Sequence, residues 1–283
     1  MARGLLAWLV HRSTSPASGR EATPGRRESA ARSIRAVAII PARLASTRLP
    51  EKALQDLGGA PLVVRVLERA RQATALHDVV VATDDERIAQ VVRAADGRAL
   101  LTRSDHPTGL DRVAEAARQL RDAGEISSRD VVLDVQGDEP FLSPAGIDRL
   151  VALFEDPEVR VGTLAAPFTV AEEARDPNRV KVVVDARGRA LYFSRAPIPY
   201  GLGPGHSPLL HLGLYAFRLD ALLELAGMPP CVLEQAERLE QLRALWNGIP
   251  ITVATGDYHS WGVDTPEDLD RARRVWVERR NSR

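Results

Sequence analysis

Residues 78–95 read DVVVATDDERIAQVVRAA and join two patterns that together indicate the fold class. The apolar run Asp78–Ala82 is typical of a buried strand, because it is short and rich in β-branched side chains. Residues Glu86–Ala95 follow, with Ile88 and Val92 at helical spacing. A buried strand that leads into an amphipathic helix is the unit from which parallel sheets are built.

The same alternation extends to both sides of this unit. Further strands are predicted at Ala36–Ile40, Arg98–Thr102, Asp130–Val135, Val161–Ala165 and Ile251–Ala254. Further helices are predicted at Pro61–Ala73, Asp111–Arg121, Pro144–Phe154, Val232–Trp246 and from Pro266 onward, the last capped by Asp264 or Thr265. Strands and helices in this order predict right-handed βαβ units and an α/β fold with a mostly parallel central sheet.

The middle of the chain departs from this alternation. Lys181–Asp185 and Arg189–Ser194 form a hairpin pattern around a glycine turn, and His211–Arg218 is a further predicted strand. We therefore expect a β-rich insertion at about residues 176–220, which builds one side of a substrate pocket or a dimer interface.

The composition bounds the possible functions of the 283 residues. The 38 basic side chains balance 38 acidic ones, so there is no electrostatic argument for binding nucleic acid or acidic membranes. The single cysteine, Cys231, excludes an internal disulfide and fits a reducing compartment such as the cytoplasm. We expect no membrane span, because no apolar run approaches the roughly 20 residues required.

Basic charge is carried almost entirely by arginine, since Lys52 and Lys181 are the only lysines beside 36 arginines. A GC-rich coding sequence explains the excess of arginine. A position that nevertheless keeps lysine indicates a site that requires a compact ammonium rather than a planar guanidinium.

Residues 1–35 are rich in arginine and serine, poor in acids and without hydrophobic periodicity. A disordered extension, an over-long start assignment and an organellar transit peptide all remain open for this segment. We expect the folded domain to span residues 36–283.

The loop after the first predicted strand carries three cations. Residues 41–52 read PARLASTRLPEK and contain Arg43, Arg48 and Lys52 among small side chains. A triphosphate needs close backbone N–H groups and several cations, and ligands of open α/β sheets bind at such strand ends. The alternative is a solvated basic loop. No Walker A motif is present, so a P-loop fold is not expected.

Two aspartates are placed to hold a divalent cation. Asp138 follows a glycine in the segment VQGDEP, at the end of the predicted strand Asp130–Val135. Asp264 lies in GVDTPED near the C-terminus. Either one alone is explained by a turn or a helix cap. Jointly they predict a magnesium site that faces a phosphate chain.

Six motifs stand in a fixed order, and together they make the chain resemble a known family. They are PARxxSTRLPxK (41–52), ATD (82–84), VQGDEP (135–140), YFSR (192–195), LEQLR (239–243) and GVDTPEDL (262–269). Over residues 36–274 the chain resembles the 3-deoxy-manno-octulosonate (Kdo) cytidylyltransferases of lipopolysaccharide synthesis. The resemblance implies a glycosyltransferase-A-like nucleotidyltransferase fold, a cytoplasmic homodimer and Mg²⁺ as cofactor. It also implies that CTP and Kdo are converted to CMP-Kdo and pyrophosphate.

The resemblance also implies roles for individual residues. The catalytic group would comprise Arg48, Lys52, Asp138 and Asp264, of which the two aspartates would bind magnesium. The nucleotide would contact Pro41, Ala42, Arg43, Arg48, Lys52, Ala82, Thr83, Asp84 and Gly109. The sugar acid would contact Gln136, Arg195, His211, Tyr215, Glu234 and Gln241. Of these, Arg195 is expected to pair with the sugar carboxylate; His211 has a core histidine as its alternative, and Glu234 an exposed helix residue.

The chain departs from the family at Leu110, where relatives commonly have threonine. Leucine offers no hydroxyl, so a contact to the nucleotide would be lost if the threonine makes one. If the threonine is a helix cap, Thr108 or Asp111 can replace it. Two other functions remain open: a cytidylyltransferase for another sugar acid, of the 8-amino-Kdo or sialic-acid type, and a non-catalytic nucleotide-binding protein.

Overall fold

Nine strands, eight α-helices and three short 3-10 helices make up the regular structure of residues 35–201 and 207–281, the part that the computed structural model describes. The expected leader at 1–35 lies outside this part except for Arg35. The strands are β1 (Ala36–Ala42), β2 (Asp78–Thr83), β3 (Arg98–Leu101), β4 (Val131–Asp134), β5 (Val161–Pro167), β6 (Lys181–Val184), β7 (Ala190–Ser194), β8 (Leu209–Arg218) and β9 (Ile251–Thr255). The helices are α1 (Leu62–Ala70), α2 (Glu86–Ala94), α3 (Gly109–Asp122), α4 (Pro144–Ala152), α5 (Leu219–Ala226), α6 (Val232–Glu237), α7 (Leu242–Trp246) and α8 (Pro266–Asn281).

The strands form one mixed sheet in the order β3-β2-β1-β4-β8-β5-β9, with the β6–β7 hairpin attached to β8. The pairs of β1 with β2 and β4, of β2 with β3 and of β5 with β9 are parallel, whereas β8 runs antiparallel to both β4 and β5. The predicted α/β class with a mostly parallel central sheet is confirmed. The last strand of the expected β-rich insertion, β8, lies inside this sheet rather than beside it.

The sheet is covered on both faces because its strands alternate between two apolar layers. In β1, Ala38 and Ile40 pack with α1, α2 and α4, while Val37 and Ile39 pack with α3 and α5. Full burial of each such isoleucine stabilises the fold by about 1.5–3 kcal/mol. A strand buried on both faces explains the continuous apolar run in the sequence.

The predicted helix at Val232–Trp246 is wrong, because the chain forms two short helices there. Helix α6 ends at Arg238, whose backbone is left-handed with φ +55°. The carbonyl oxygens of Glu237 and Arg238 accept hydrogen bonds from the guanidinium of Arg195 rather than continuing the helix. This contact comes from a distant segment, so helical spacing within 232–246 carries no sign of it. Helix α5 was not predicted at all.

Three parallel strands bring the predicted site loops to one edge of the sheet. Strands β1, β2 and β4 all end there, with Pro41 beside Ala82 and Ala42 beside Thr83. The loop after β4 packs on the end of β1 so closely that a Cβ at Gly137 would lie 2.6 Å from the carbonyl oxygen of Pro41. Any larger residue would push the Asp138 loop away from β1. Among the described residues, no helix has the length and apolarity needed to cross a membrane.

Candidate active site

Four predicted catalytic residues meet at this edge of the sheet. The Nζ atom of Lys52 lies 2.5 Å from Oδ2 of Asp138 and 2.9 Å from Oδ1 of Asp264. The guanidinium of Arg48 lies 3.0 Å from the same oxygen of Asp264. Arg43 is exposed in the same loop. The chain thus brings two cations and two carboxylates into one charged centre.

Backbone contacts hold the two aspartates side by side. The N–H of Val263 donates to the carbonyl oxygen of Asp138 at 2.9 Å, which joins the loop before α8 to the loop after β4. Thr265 caps α8 by accepting from the N–H of Asp268 at 3.2 Å, as the sequence predicted. The position of Asp264 is therefore fixed from both sides.

The charged centre favours a protonated Lys52. Burial disfavours the ammonium, but the carboxylates of Asp138 and Asp264 outweigh it and raise the pKa of Lys52 above its usual value. The neighbouring Glu139 is half-buried and accepts a hydrogen bond from Ser260. Burial, reinforced by the charge of Asp138, raises the pKa of Glu139 to about 7.

The donor set fits the expected magnesium ion. Oxygens of Asp138 and Asp264 converge on a single cationic position, where the ammonium of Lys52 lies. Mg²⁺ is commonly bound by one or two carboxylates together with water and substrate phosphates. Residues 35–201 and 207–281 contain no group of three or more His, Cys, Asp or Glu side chains that could hold a metal by themselves. The two aspartates therefore suit an ion that is shared with a phosphate ligand.

A cavity of about 1070 Å³ opens beside the charged centre, with Arg48 and Asp264 in its lining. Gly109 and Leu110 also line it. Its walls include the predicted sugar-site residues Gln136, Arg195, His211, Tyr215 and Gln241. This volume matches the upper range of small-molecule sites. A ligand in the cavity would therefore reach both the charged centre and the predicted sugar-site side chains.

A second hollow of about 450 Å³ lies by the predicted nucleotide segment and is lined in part by Ser46, Asp84 and Ser104. One carboxylate oxygen of Asp84 pairs with Arg112 at 3.1 Å, while Oδ1 is buried without a hydrogen bond among the described residues. Thr83 is fully buried at the end of β2. Asp84 thus presents an acceptor that a donor group of a ligand could satisfy.

Sequence reasoning missed two carboxyl groups in the large cavity, one buried (Asp134) and one half-buried (Glu240). Asp134 and Glu240 both line it. Burial, with the charges of Glu240 and Asp138 adding to it, raises the pKa of Asp134 to about 8, and burial also raises the pKa of Glu240. Glu240 stands directly before Gln241 in the fifth motif, so that motif could have identified it. Asp134 had no comparable signal.

The side chains next to these carboxyls are neutral. Burial lowers the pKa of His211 to about 3, and its Nε2 lies 3.1 Å from Oγ1 of Thr163. Burial and the nearby Glu240 and Asp134 raise the pKa of Tyr215 well above its usual value. The amide nitrogen of Gln241 is buried and makes no hydrogen bond within the described residues. His211 is therefore a buried core histidine that also forms part of the cavity wall.

Arg195 lines the cavity, but its guanidinium is engaged by backbone. It donates to the carbonyl oxygens of Glu237 at 2.7 Å, Pro177 at 2.9 Å and Arg238 at 3.4 Å. The expected pairing with a sugar carboxylate would have to share the guanidinium with these contacts. In the structure, Arg195 joins three segments of the cavity wall through these hydrogen bonds.

Glu234, a predicted sugar-site residue, does not line the cavity. Both of its oxygens are held by Arg243, at 2.5 and 2.9 Å, and the pair is buried. Glu234 also closes the N-terminus of α6 through a capping box with Cys231. Its carboxylate is thus occupied by Arg243 and by the N–H of Cys231, in contacts that hold the protein together.

At the departure from the family pattern, the hydroxyl of Thr108 caps α3. It accepts from the N–H of Asp111 at 3.2 Å and donates to the carboxylate of the same residue at 2.8 Å. Leu110 therefore costs this helix no cap, in agreement with the cap alternative.

Glu234→Ala is expected to lower the free energy of unfolding by about 3–5 kcal/mol, because it leaves Arg243 buried without its partner. Urea unfolding measures this change. The matched control is Glu224→Ala, which removes a partly exposed ion pair with Arg160 and should cost less than about 1 kcal/mol. Equal, small losses in both variants would contradict a buried structural pair.

Comparisons with known proteins identify the relatives of this chain. The cytidylyltransferase family model matches residues 37–251. The 3-deoxy-manno-octulosonate cytidylyltransferase of Geobacter sulfurreducens is 48% identical over 247 residues, which cover 83% of this chain and 96% of that protein. The corresponding protein of Xanthobacter autotrophicus is 49% identical over 245 residues, covering 85% and 93%.

Solved structures extend the likeness to three dimensions. A CMP:2-keto-3-deoxy-manno-octonic acid synthetase in complex with CTP is 41% identical, with a TM-score of 0.80 and coverage of 87% of this chain and 99% of that one. A cytidylyltransferase from Leptospira borgpetersenii, 16% identical with a TM-score of 0.55 and coverage of 85% of each chain, shares the fold. By its family model, its relatives and its structure, the chain belongs to the 3-deoxy-manno-octulosonate cytidylyltransferases.

Proposed function

We propose that the protein transfers CMP from CTP to the anomeric hydroxyl of Kdo and releases pyrophosphate. The observation that carries this proposal is the charged centre of Arg48, Lys52, Asp138 and Asp264 at a cavity lined by hydroxyl, amide and carboxyl groups. Cations beside paired carboxylates suit a triphosphate, and a polar cavity suits a sugar acid. Two relatives support the proposal: one is named a 3-deoxy-manno-octulosonate cytidylyltransferase, and the other is a synthetase of the same product solved in complex with CTP.

The chemistry requires positioning and charge more than a strong base. The anomeric hydroxyl loses its proton to solvent and its oxygen forms a bond to the α-phosphorus. The bond from that phosphorus to the bridging oxygen breaks, and pyrophosphate leaves with the electron pair. Negative charge gathers on the phosphoryl oxygens and on the leaving group. Arg43, Arg48 and Lys52 are placed to neutralise it, and no residue is assigned as a general base.

Asp138 and Asp264 would hold Mg²⁺, which when bound supplies positive charge to the nucleotide phosphates. Lys52, whose ammonium now contacts both carboxylates, would then turn toward the phosphate chain. The negative charges of the two aspartates would be neutralised by Mg²⁺ instead of by the ammonium.

The neutral groups of the cavity would orient the sugar acid. Gln136, Tyr215 and Gln241 offer amide and hydroxyl groups, and Glu240 adds a half-buried carboxyl. The amide nitrogen of Gln136 donates to Asp134 at 3.0 Å. The carbonyl oxygen of Gln136 would then accept a hydrogen bond from a hydroxyl of the sugar acid. These contacts would hold the anomeric hydroxyl in line with the α-phosphorus.

We further propose a cytoplasmic homodimer whose product is consumed in lipopolysaccharide synthesis. This part rests on the family resemblance. Sedimentation of the full chain tests the dimer directly.

The function is tested by pyrophosphate release from CTP and Mg²⁺ with a panel of sugar acids. We expect the highest kcat/KM with Kdo, above 8-amino-Kdo and sialic acid. A higher value with sialic acid would move the protein to a different sugar-acid branch. CTP binding without turnover on any acid would support the non-catalytic alternative.

Asp138→Asn and Asp264→Asn are each expected to lower kcat at least about 100-fold at saturating Mg²⁺, because either change removes charge from the cation site. Asp270→Asn is the matched control, since this exposed carboxylate of α8 pairs only with Arg273 among the described residues. It should retain wild-type kcat. Near-normal kcat in either site variant would refute the metal assignment.

Lys52→Arg is expected to lose most of the activity despite its conserved charge. The ammonium fits between two carboxylates at 2.5 and 2.9 Å, whereas a guanidinium is broader and planar. The measurement is kcat/KM for CTP in wild type, Lys52→Arg and Lys52→Ala. Full activity of the arginine variant would mean that charge alone suffices, and equal activity of all three would remove Lys52 from the phosphate site.

A further inference from the structure

The second lysine of the chain is fully buried and takes no part in the chemistry proposed above. Lys181 lies in β6, opposite Ser194 of β7 and Leu210 of β8, with none of its surface exposed. It forms no ion pair with a carboxylate in the part of the chain that the structure describes. Burial lowers its pKa.

The ammonium of Lys181 is satisfied by backbone oxygens from two separate segments. It donates to the carbonyl oxygen of Arg195 at 2.6 Å and to that of Asp176 at 3.0 Å. Asp176 and Arg195 both line the large cavity. Lys181 therefore stands directly behind the cavity wall and joins two of its parts.

A network extends this joint to a third segment. The carboxylate of Glu237 accepts from the hydroxyl of Ser194 at 2.6 Å and from the N–H of Arg195 at 2.8 Å. The guanidinium of Arg195 returns to the carbonyl oxygens of Glu237 and Pro177. Segments 176–177, 194–195 and 237–238 are thus fixed to one another.

The third segment leads straight into the cavity. The chain turns at Arg238 and then presents Glu240 and Gln241, which both line the wall. The predicted nucleotide residues Pro41, Ala42, Ala82 and Thr83 lie instead at the ends of β1 and β2. An anchor behind the wall would therefore act first on the end of the ligand that contacts Glu240 and Gln241.

Physical chemistry makes a lysine at this position costly without such a role. Burying a charge is unfavourable unless its hydrogens are bound, and apolar replacements of buried charges often leave stability unchanged or raise it. Valines fill the next three positions of the same strand, Val182–Val184. The ammonium supplies what a valine cannot, which is a point donor to two carbonyls.

We propose that Lys181 is a positioning residue for the sugar-acid end of the cavity, where it ties Asp176 to Arg195 and so holds the wall that carries Glu240 and Gln241. The proposal rests on the function proposed above, in that it assigns this end of the cavity to the sugar acid.

The test is Lys181→Met, which keeps the length of the side chain and removes its donors. We expect the KM for Kdo to rise about tenfold while the KM for CTP changes less than about twofold. Hydrogen exchange should also become faster in peptides that cover residues 173–180 and 193–197.

The matched control is Arg218→Met. Arg218 likewise ties two carbonyl oxygens, those of Phe154 at 2.7 Å and Arg129 at 3.2 Å, but it lies at the opposite edge of the sheet beside Val131. This variant should lower the melting temperature, leave both KM values unchanged and speed exchange only near 129 and 154–156. If Lys181→Met behaves in the same way, or raises both KM values equally, Lys181 has only a structural role and the proposal falls.

Two provisions keep the outcome decisive. If Lys181→Met does not fold, Glu237→Gln, which weakens the same network from its other side, must show the same selective rise in the KM for the sugar acid. If the wild-type protein turns over no sugar acid, the proposed function fails, yet hydrogen exchange still decides whether Lys181 holds the two wall segments.

Discussion

The ammonium of Lys52 contacts Asp138 and Asp264, which stand 86 and 212 positions further along the chain. Such a contact can form only because the loops after β1 and β4 and the loop before α8 meet at one edge of the sheet. Parallel strands impose this meeting, since their carboxyl ends lie together whatever connects them. The close approach of Gly137 to Pro41 and the hydrogen bond from Val263 to Asp138 then set the spacing of the charges. The sheet is thus the frame on which the chemistry depends.

Secondary structure could be predicted from the sequence where the local pattern of apolar residues agrees with the tertiary fold. Strands such as β1 and β2 are buried on both faces, so their apolar runs are visible without knowledge of their neighbours. The ends of such strands are equally visible in the sequence. The motifs that follow them therefore predict that Lys52, Asp138 and Asp264 belong to one site. The helix break at Arg238 was invisible for the opposite reason. It is stabilised by Arg195, 43 residues earlier, and no local spacing reports that contact.

The two glutamates of this region show the limit more sharply. Glu234 and Glu240 lie within one predicted helix and are equally plausible as ligands by residue type. Only the fold shows that Arg243 binds Glu234 with both oxygens, while Glu240 faces the cavity. The family motif held a usable signal, because Glu240 and Gln241 are adjacent within it. Residue type alone cannot distinguish a carboxylate that supports the wall from one that forms its surface.

The same distinction between head groups accounts for the two lysines in a chain that otherwise uses arginine. Arginine serves where a planar fork meets a carboxylate, as in the pairs of Arg243 with Glu234 and of Arg98 with Glu125. Lys52 and Lys181 instead each place a single nitrogen between two oxygens that come from different segments. An ammonium donates to both acceptors from one nitrogen, whereas a guanidinium that joins separate segments, such as that of Arg195, uses nitrogens spread over its plane. Substitution of either lysine by arginine would therefore disturb these contacts, even in a chain whose other basic residues are arginine. Both lysines lie next to the cavity.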